Sequence, residues 1–271
     1  MHTVLIITNA CLWLAAVCGL LHLNRPAAWK HGMFWFGVVA AMIGQVWWFV
    51  TAVEVYEYCV LFDAWGMMGV VVLAVPLLAW WVGRRFKSLR LSIGSISVLA
   101  VAAALAHVAF PAAPGPAPHQ VDSIRSLHVL LMVLGYATLI LGCVAGLMFV
   151  WRSKNLHGVE NPDTDVPWPA LTALDRLYVR SSMCGLGLIA GGILLGILGI
   201  RTSENPHVWY SDPAVWLTLV GFFMYGIDWI IRCRQGFCNR LVIGIGTAAF
   251  CCVLLAFFLS KLTRNIHGLG L

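Results

Sequence analysis

Charged residues are scarce in this sequence. Of its 271 residues, 10% are charged and 61% are hydrophobic, and the mean hydropathy is +0.88. Soluble domains carry about 25% charged residues, which cover the surface that faces water. The shortage of charge therefore excludes a soluble domain, a disordered chain and a protein built to bind nucleic acid. It indicates an integral membrane protein in contact with membrane lipid.

Paired cysteines and alternating strands are also missing. The nine cysteines form no Cys-x-x-Cys pair, which excludes a thioredoxin-like motif and covalent attachment of c-type haem to this chain. The apolar runs are continuous, whereas the strands of a membrane β-barrel alternate over about 10 residues. The fold class predicted here is therefore all-α.

Eight apolar stretches are each long enough to cross a bilayer, which takes about 20 residues. They predict a polytopic integral membrane helix bundle of about eight transmembrane helices, in a single membrane domain over residues 1–271. The predicted spans are 3–23, 31–53, 65–83, 90–110, 126–150, 181–200, 213–231 and 241–260.

Two segments between these spans have a character of their own. Residues 111–125 begin with four prolines in eight residues, which excludes a helix there. This Pro-rich stretch divides spans 1–4, at about 3–110, from spans 5–8, at about 126–260. Residues 170–178 carry leucines at helical spacing and predict a short amphipathic helix at the cytoplasmic face.

The basic residues are distributed unevenly over the loops. Thirteen of the 17 Lys and Arg residues fall in the odd-numbered loops. Because positive charge stays in the cytoplasm, both termini are predicted to lie outside. The membrane expected for the chain is a bacterial inner (cytoplasmic) membrane, although the charges do not establish this. Cys233 then lies on the cytoplasmic side, and Cys59 lies near the outer face.

Nine histidines are the most informative polar residues, and most of them fall near the predicted outer face. His128 opens span five, and His267 follows span eight. If the two helices are neighbours, the two imidazoles can act as axial ligands of one haem. The alternative is that these are interfacial histidines that bond to water or backbone.

A segment rich in aromatic residues precedes span seven. Trp209 and Asp212 lie there, close to His207, and the tryptophan ring offers a flat surface on which a porphyrin can stack. An interfacial membrane anchor explains the same tryptophan equally well.

Two further features lie within the spans. Asp228 is a carboxylate inside span seven, for which a pair with Arg232, four residues later, is favoured over a proton or cation site. Span six holds two small-xxx-small pairs, Gly187/Gly191 and Gly192/Gly196, for which tight helix packing is the favoured explanation over a cofactor contact.

Several stretches together resemble the cytochrome c assembly proteins of the CcsA/CcmC/HemX type, most closely the short eight-span HemX-like branch. The most specific is Ser126-Leu-His-Val-Leu-Leu-Met-Val-Leu-Gly-Tyr-Ala137, which resembles the family's His-Val helix. The other similar stretches are 58–65, 174–180, 233–240 and 265–270. The resemblance implies that His128 and His267 are the axial ligands of a non-covalent b-type haem, with Trp209 and Asp212 lining the site.

The family's tryptophan-rich signature is only partly kept. Trp209, Asp212 and Pro213 hold register, but Ser211 stands where a tryptophan is expected, and Trp216 comes one residue early. The signature of a complete haem lyase is therefore missing. Whether the chain is an enzyme stays open, although an assembly factor without catalysis is favoured.

These features favour a membrane factor in cytochrome c maturation and haem handling, which works with other maturation or haem-pathway proteins. The alternative is a membrane scaffold or regulator without haem, which stabilises a partner from tetrapyrrole synthesis or respiratory assembly.

Overall fold

Eight helices make up the described part of the chain. The computed structural model describes residues 2–56, 64–109, 123–154, 168–201, 212–236 and 239–262. These residues contain no β-strand. The helices are α1 (His2–Asn24), α2 (Ala28–Tyr56), α3 (Ala64–Arg85), α4 (Leu89–Ala109), α5 (Ser123–Lys154), α6 (Leu171–Arg201), α7 (Pro213–Gln235) and α8 (Arg240–Leu262).

All eight helices are long and apolar enough to span a membrane, which confirms the predicted all-α bundle. Their lipid-facing sides expose large apolar side chains, with Leu194 and Phe223 each 64% exposed. In water such a surface would be unfavourable, whereas in hydrocarbon it costs nothing. The protein is therefore an integral membrane protein.

Spanning helices alternate in direction, so their connections fall at two ends. The end that carries the 24–28, 85–89, 154–171 and 235–240 connections is called here the basic end, because it holds most Lys and Arg residues. The other end, which carries both chain termini, is called the terminal end. The Pro-rich stretch 111–125 lies almost wholly outside the described residues.

Helix α5 lies at the centre of the bundle. Consecutive helices pack as the hairpins α1–α2, α3–α4, α5–α6 and α7–α8, and α5 also contacts α3, α4 and α8. By contrast, α6 and α7 touch each other little. The larger hydrophobic core is built mainly from α1–α5 and α8, to which α6 adds Ile189 and α7 adds Tyr225. A smaller core lies at the basic end around Leu174, Tyr178 and Ile243.

The separate amphipathic helix predicted over 170–178 is wrong. These residues are helical, but they form the first turns of the continuous helix α6. Leu174, Leu177 and Tyr178 are buried within the bundle instead of lying on the membrane surface. No Gly or Pro interrupts the helix before span six, so nothing in the backbone separates the two segments.

Aromatic and basic side chains fix the start of α6 at the basic end. The Trp168 ring lies 4.5 Å from the Trp151 ring, measured between centroids. The Arg90 guanidinium lies 4.1 Å from the centroid of Trp168, and Arg152 donates to the Pro169 carbonyl. These contacts tie the entry of α6 to α4 and α5, and they bury Arg90 by stacking it on an aromatic face.

Candidate functional site

The predicted haem site is partly within the described residues. His128 lies on α5 and Asp212 lies directly before α7. His267 and Trp209 lie outside the described residues, so their roles stay predictions. The geometry of the site therefore has to be built from the first two.

His128 lies near the terminal end, about 8 Å along α5 from its first residue. The ring is half-buried against α6. Its Nδ1 atom lies 2.6 Å from the carbonyl oxygen of Gly192. A Cβ atom at Gly196 would lie 3.1 Å from the His128 Cε1 atom, a tight contact, so the glycine lets the ring lie close to α6.

This hydrogen bond fixes the tautomer of His128. A carbonyl oxygen can only accept, so the proton of the neutral ring must lie on Nδ1. The lone pair then lies on Nε2. A histidine that donates its Nδ1 proton to a backbone carbonyl and offers Nε2 is the usual arrangement of a metal-ligating imidazole. His128 therefore has the tautomer that is usual for a metal-ligating imidazole.

His107, also near the terminal end, has the opposite arrangement. Its Nδ1 atom lies 3.2 Å from the Asn9 Nδ2 atom, across the interface of α1 and α4. Because the amide nitrogen can only donate, the His107 Nδ1 atom accepts and the ring proton lies on Nε2. The sequence alone does not distinguish these two histidines, since the difference comes from neighbours far away along the chain.

Asp212 caps the N-terminus of α7. Its carboxylate accepts a hydrogen bond of 2.8 Å from the Ala214 N–H, and the residue is fully buried. Pro213 occupies the first turn, where no N–H is needed. The Asp-Pro pair is a recognisable helix start in the sequence, and here it fixes the point at which the chain enters α7. Whether Asp212 also lines a haem site stays a prediction.

The glycines of α6 differ in what they contact. A Cβ atom at Gly192 would lie 2.7 Å from the Met132 Sδ atom, and Gly196 faces His128. A Cβ atom at Gly187 would meet nothing within 4 Å. The second small-xxx-small pair therefore packs tightly against α5 as predicted, whereas Gly187 does not take part in close packing.

A second polar cluster joins α6 and α7 nearer the basic end. The Tyr178 hydroxyl donates to the Asp228 Oδ2 atom at 3.0 Å, and the Arg232 Nη2 atom donates to the Asp175 Oδ1 atom at 2.7 Å. The 2.7 Å ion pair of Arg232 is therefore with Asp175 across the interface, while the Arg232 charge also acts on the Asp228 carboxylate. Asp228 and Arg232 each bond to α6, because the Tyr178 hydroxyl and the Asp175 carboxylate lie opposite them across the helix interface.

Tyr178 and Asp175 are the residues of this cluster that the sequence does not single out, and Tyr178 is the more buried of the two. It is 2% exposed, and its ring packs against Gly146 of α5 and its hydroxyl against Gly246 of α8. The two glycines leave the space that lets one tyrosine reach from α6 through the bundle to α7. The sequence contains one signal for this tyrosine. Tyr178 follows Asp175 by three residues, in a segment that also contains the apolar Leu174 and Leu177.

Comparisons with known proteins give one match. A family model described as "Cytochrome C assembly protein" matches residues 58–267. The matched region includes both His128 and His267. Neither the curated proteins nor the solved structures gave a match.

Proposed function

Because the chain belongs to the cytochrome c assembly protein family, we propose that it handles haem during cytochrome c maturation and binds b-type haem through His128 and His267. Membership of the family supports a role in cytochrome c maturation. The finer proposal concerns the cofactor, the ligands and the face of the membrane. On this proposal the terminal end lies outside, in a bacterial inner membrane.

The observation that carries the proposal is the hydrogen bond from His128 to Gly192. The Nδ1 atom lies 2.6 Å from the carbonyl oxygen, which can only accept, so the proton of the neutral ring lies on Nδ1 and Nε2 is the nitrogen through which such an imidazole binds a metal. The ring is also held from one side by the glycine face of α6. An imidazole held in this way loses little conformational freedom when it binds a metal.

The residue types of the site fit a haem. When bound, haem would supply an iron that takes imidazole nitrogens as ligands. His128 would supply one nitrogen, and His267 would supply the other. Trp209 offers an aromatic face to the porphyrin, and Asp212 fixes the start of α7 directly after the segment that carries Trp209. The chain binds and positions the haem for partner proteins of the maturation pathway and does not itself catalyse the attachment.

The test is the absorption spectrum of the purified full chain, oxidised and reduced, with a pyridine haemochrome assay. We expect about one b-type haem per chain with two histidine ligands. Both His128→Ala and His267→Ala should lose this haem. His107→Ala is the matched control and should keep it, because its ring is held by Asn9 in the other tautomer. Unchanged haem content in both ligand variants would refute the assignment.

One observation favours a second candidate function. Asp212 keeps register with the family's tryptophan-rich signature, yet its carboxylate is fully buried as a helix cap. Together with the altered residues around it, this favours a membrane scaffold or regulator that stabilises a partner from tetrapyrrole synthesis or respiratory assembly. A chain that stays colourless after addition of haem, and still stabilises such a partner, would support this alternative.

A further inference from the structure

A small cavity lies between α6 and α7, beside the polar cluster of Tyr178 and Asp228. It has a volume of about 10 Å³. Asp228 lies about 22 Å along α7 from Pro213, so the cavity is well inside the membrane-spanning part of the helix. Its lining includes Tyr178, Ser182, Met183, Tyr225, Asp228 and Arg232.

Two buried oxygen atoms of this lining have no hydrogen-bond partner among the described residues. They are the Oδ1 atom of Asp228 and the Oγ atom of Ser182. Asp228 is 3% exposed and Ser182 is 8% exposed, so neither is solvated by bulk water. Burying such atoms without a partner is costly, and native proteins satisfy nearly all of them.

We propose that one ordered water molecule occupies this cavity and bonds to Asp228 and Ser182. A cavity needs about 10–15 Å³ to hold a water, which must find two to four polar partners. The cavity has the required volume, and its two oxygen atoms and the neighbouring Arg232 guanidinium supply the partners. The water donates one hydrogen to the Asp228 Oδ1 atom and the other to the Ser182 Oγ atom.

The charges around the cavity favour water over a cation. The Arg232 guanidinium lines the same space, and it would repel a sodium or potassium ion there. The Asp228 carboxylate already accepts from Tyr178. A neutral molecule that both donates and accepts hydrogen bonds, such as water, suits a cavity lined by a carboxylate, a hydroxyl and a guanidinium group.

A second cavity in the same molecule provides the contrast. It has a volume of about 20 Å³ and lies among α3, α4, α5 and α8. Its lining is apolar side chains together with Tyr136, and includes Met68, Val71, Phe250 and Phe257. Apolar cavities of this kind stay empty, because a water inside them would lose its hydrogen bonds. The larger cavity is therefore dry, and the smaller one is wet.

The water extends the link between α6 and α7. These helices touch little elsewhere, and each packs mainly on a different neighbour, α5 or α8. The bond from Tyr178 to Asp228, the bond from Arg232 to Asp175 and the bridge through the water hold them together near the basic end. This inference goes beyond the proposed function and does not depend on haem.

X-ray radiolysis footprinting of the full chain in lipid nanodiscs tests the proposal. Radiolysis turns ordered water into hydroxyl radicals, which oxidise the side chains that touch it, and mass spectrometry locates the products. We expect Tyr178 and Tyr225 to be oxidised several-fold faster than Tyr136, and a radical scavenger in the bulk solvent should not suppress this. Oxidation at the rate of Tyr136, or suppression by the scavenger, would overturn the proposal.

A variant pair sharpens the test. Ser182→Ala removes one partner of the water and should lower the oxidation of Tyr178 and Tyr225 severalfold. Ser95→Ala is the matched control, since Ser95 is buried in α4 and donates to the Leu91 carbonyl. It should leave both rates unchanged. If Tyr178 and Tyr225 are oxidised in Ser182→Ala as fast as in the wild type, the proposal fails. If Ser182→Ala does not fold, the comparison of Tyr178 and Tyr225 with Tyr136 in the wild-type protein decides.

Discussion

At the residue scale, the two ring nitrogens of His128 have different roles on the proposed function. The side chain packs against α6 through a donor at Nδ1, and the proposed ligand is the other nitrogen of the same ring. Packing and ligation therefore use different atoms. A substitution at this position can therefore remove the proposed ligand atom and keep the packing contact with α6.

The variant His128→Asn makes this separation. The asparagine amide can place a donor close to the position of Nδ1 and bond to the Gly192 carbonyl, but it has no atom at the position of Nε2. We expect the melting temperature of the haem-free protein to stay near that of the wild type, while the haem content falls to that of His128→Ala. Thermal unfolding followed by tryptophan fluorescence and a pyridine haemochrome assay measure the two quantities.

His128→Ala loses both the hydrogen bond to Gly192 and the proposed ligand atom. Its free energy of unfolding should therefore be lower than that of the wild type, by about 1 kcal/mol for the lost hydrogen bond. An asparagine variant that keeps its haem would mean that His128 only packs against α6. An asparagine variant as unstable as the alanine variant would mean that the bond to Gly192 does not matter for stability.

At the scale of the helices, close approach depends on a few glycines that only the structure identifies. Gly244 and Gly246 both lie on α8, two residues apart. A Cβ atom at Gly246 would collide with the Tyr178 hydroxyl, whereas one at Gly244 would meet nothing within 4 Å. The same ring also lies close to α5, where a Cβ atom at Gly146 would be 3.0 Å from the Tyr178 Cδ2 atom.

We therefore expect Gly246→Ala to destabilise the protein, and Gly244→Ala to be harmless. Overpacking of a buried site costs about 1–3 kcal/mol, and here it also displaces the hydroxyl that bonds to Asp228. Thermal unfolding in detergent compares the two variants. In Gly246→Ala, the further substitution Tyr178→Phe should restore part of the lost stability, because it removes the colliding oxygen. Equal stability of the two glycine variants would contradict this account.

The sequence predicts the helices better than their partners. Each span is set by a local property, a run of apolar residues longer than the bilayer is thick, so all eight spans were found. The spacing on one helix predicts that Arg232 pairs with Asp228, whereas its 2.7 Å ion pair is with Asp175, across the interface with α6. Contacts between helices depend on how each helix is rotated about its axis and how far it is shifted along that axis. The sequence of one helix specifies neither.

The same distinction between local and long-range signals applies to His128 and Asp212, the two residues of the proposed haem site that the structure describes. The residue type and position of His128 suggested a ligand, but its tautomer is decided by a carbonyl 64 residues away along the chain. The role of Asp212 as a helix cap was present in the local Asp-Pro sequence and was overlooked, since the family's signature offered another role. Local signals thus predict caps and spans, whereas a site formed by several helices requires the structure.

At the scale of the whole molecule, the orientation in the membrane decides where the proposed haem site can act. The basic end carries 13 of the 17 Lys and Arg residues, which predicts that it faces the cytoplasm. The terminal end, with His128 and both termini, then faces outside. Two native cysteines suit a test of this orientation, because Cys233 lies on the exposed end of α7 and Cys59 lies between α2 and α3.

We expect a membrane-impermeant maleimide to react with Cys59 and not with Cys233 in intact spheroplasts, using two variants that each keep one cysteine. Inside-out vesicles should give the opposite result, and detergent should expose both thiols as a control for reactivity. The prediction rests on the cost of moving many positive charges across the membrane during insertion. Reaction of Cys233 in spheroplasts would place the basic end outside. His128 would then face the cytoplasm, and haem handling at the outer face would have to be abandoned even if the purified chain binds haem.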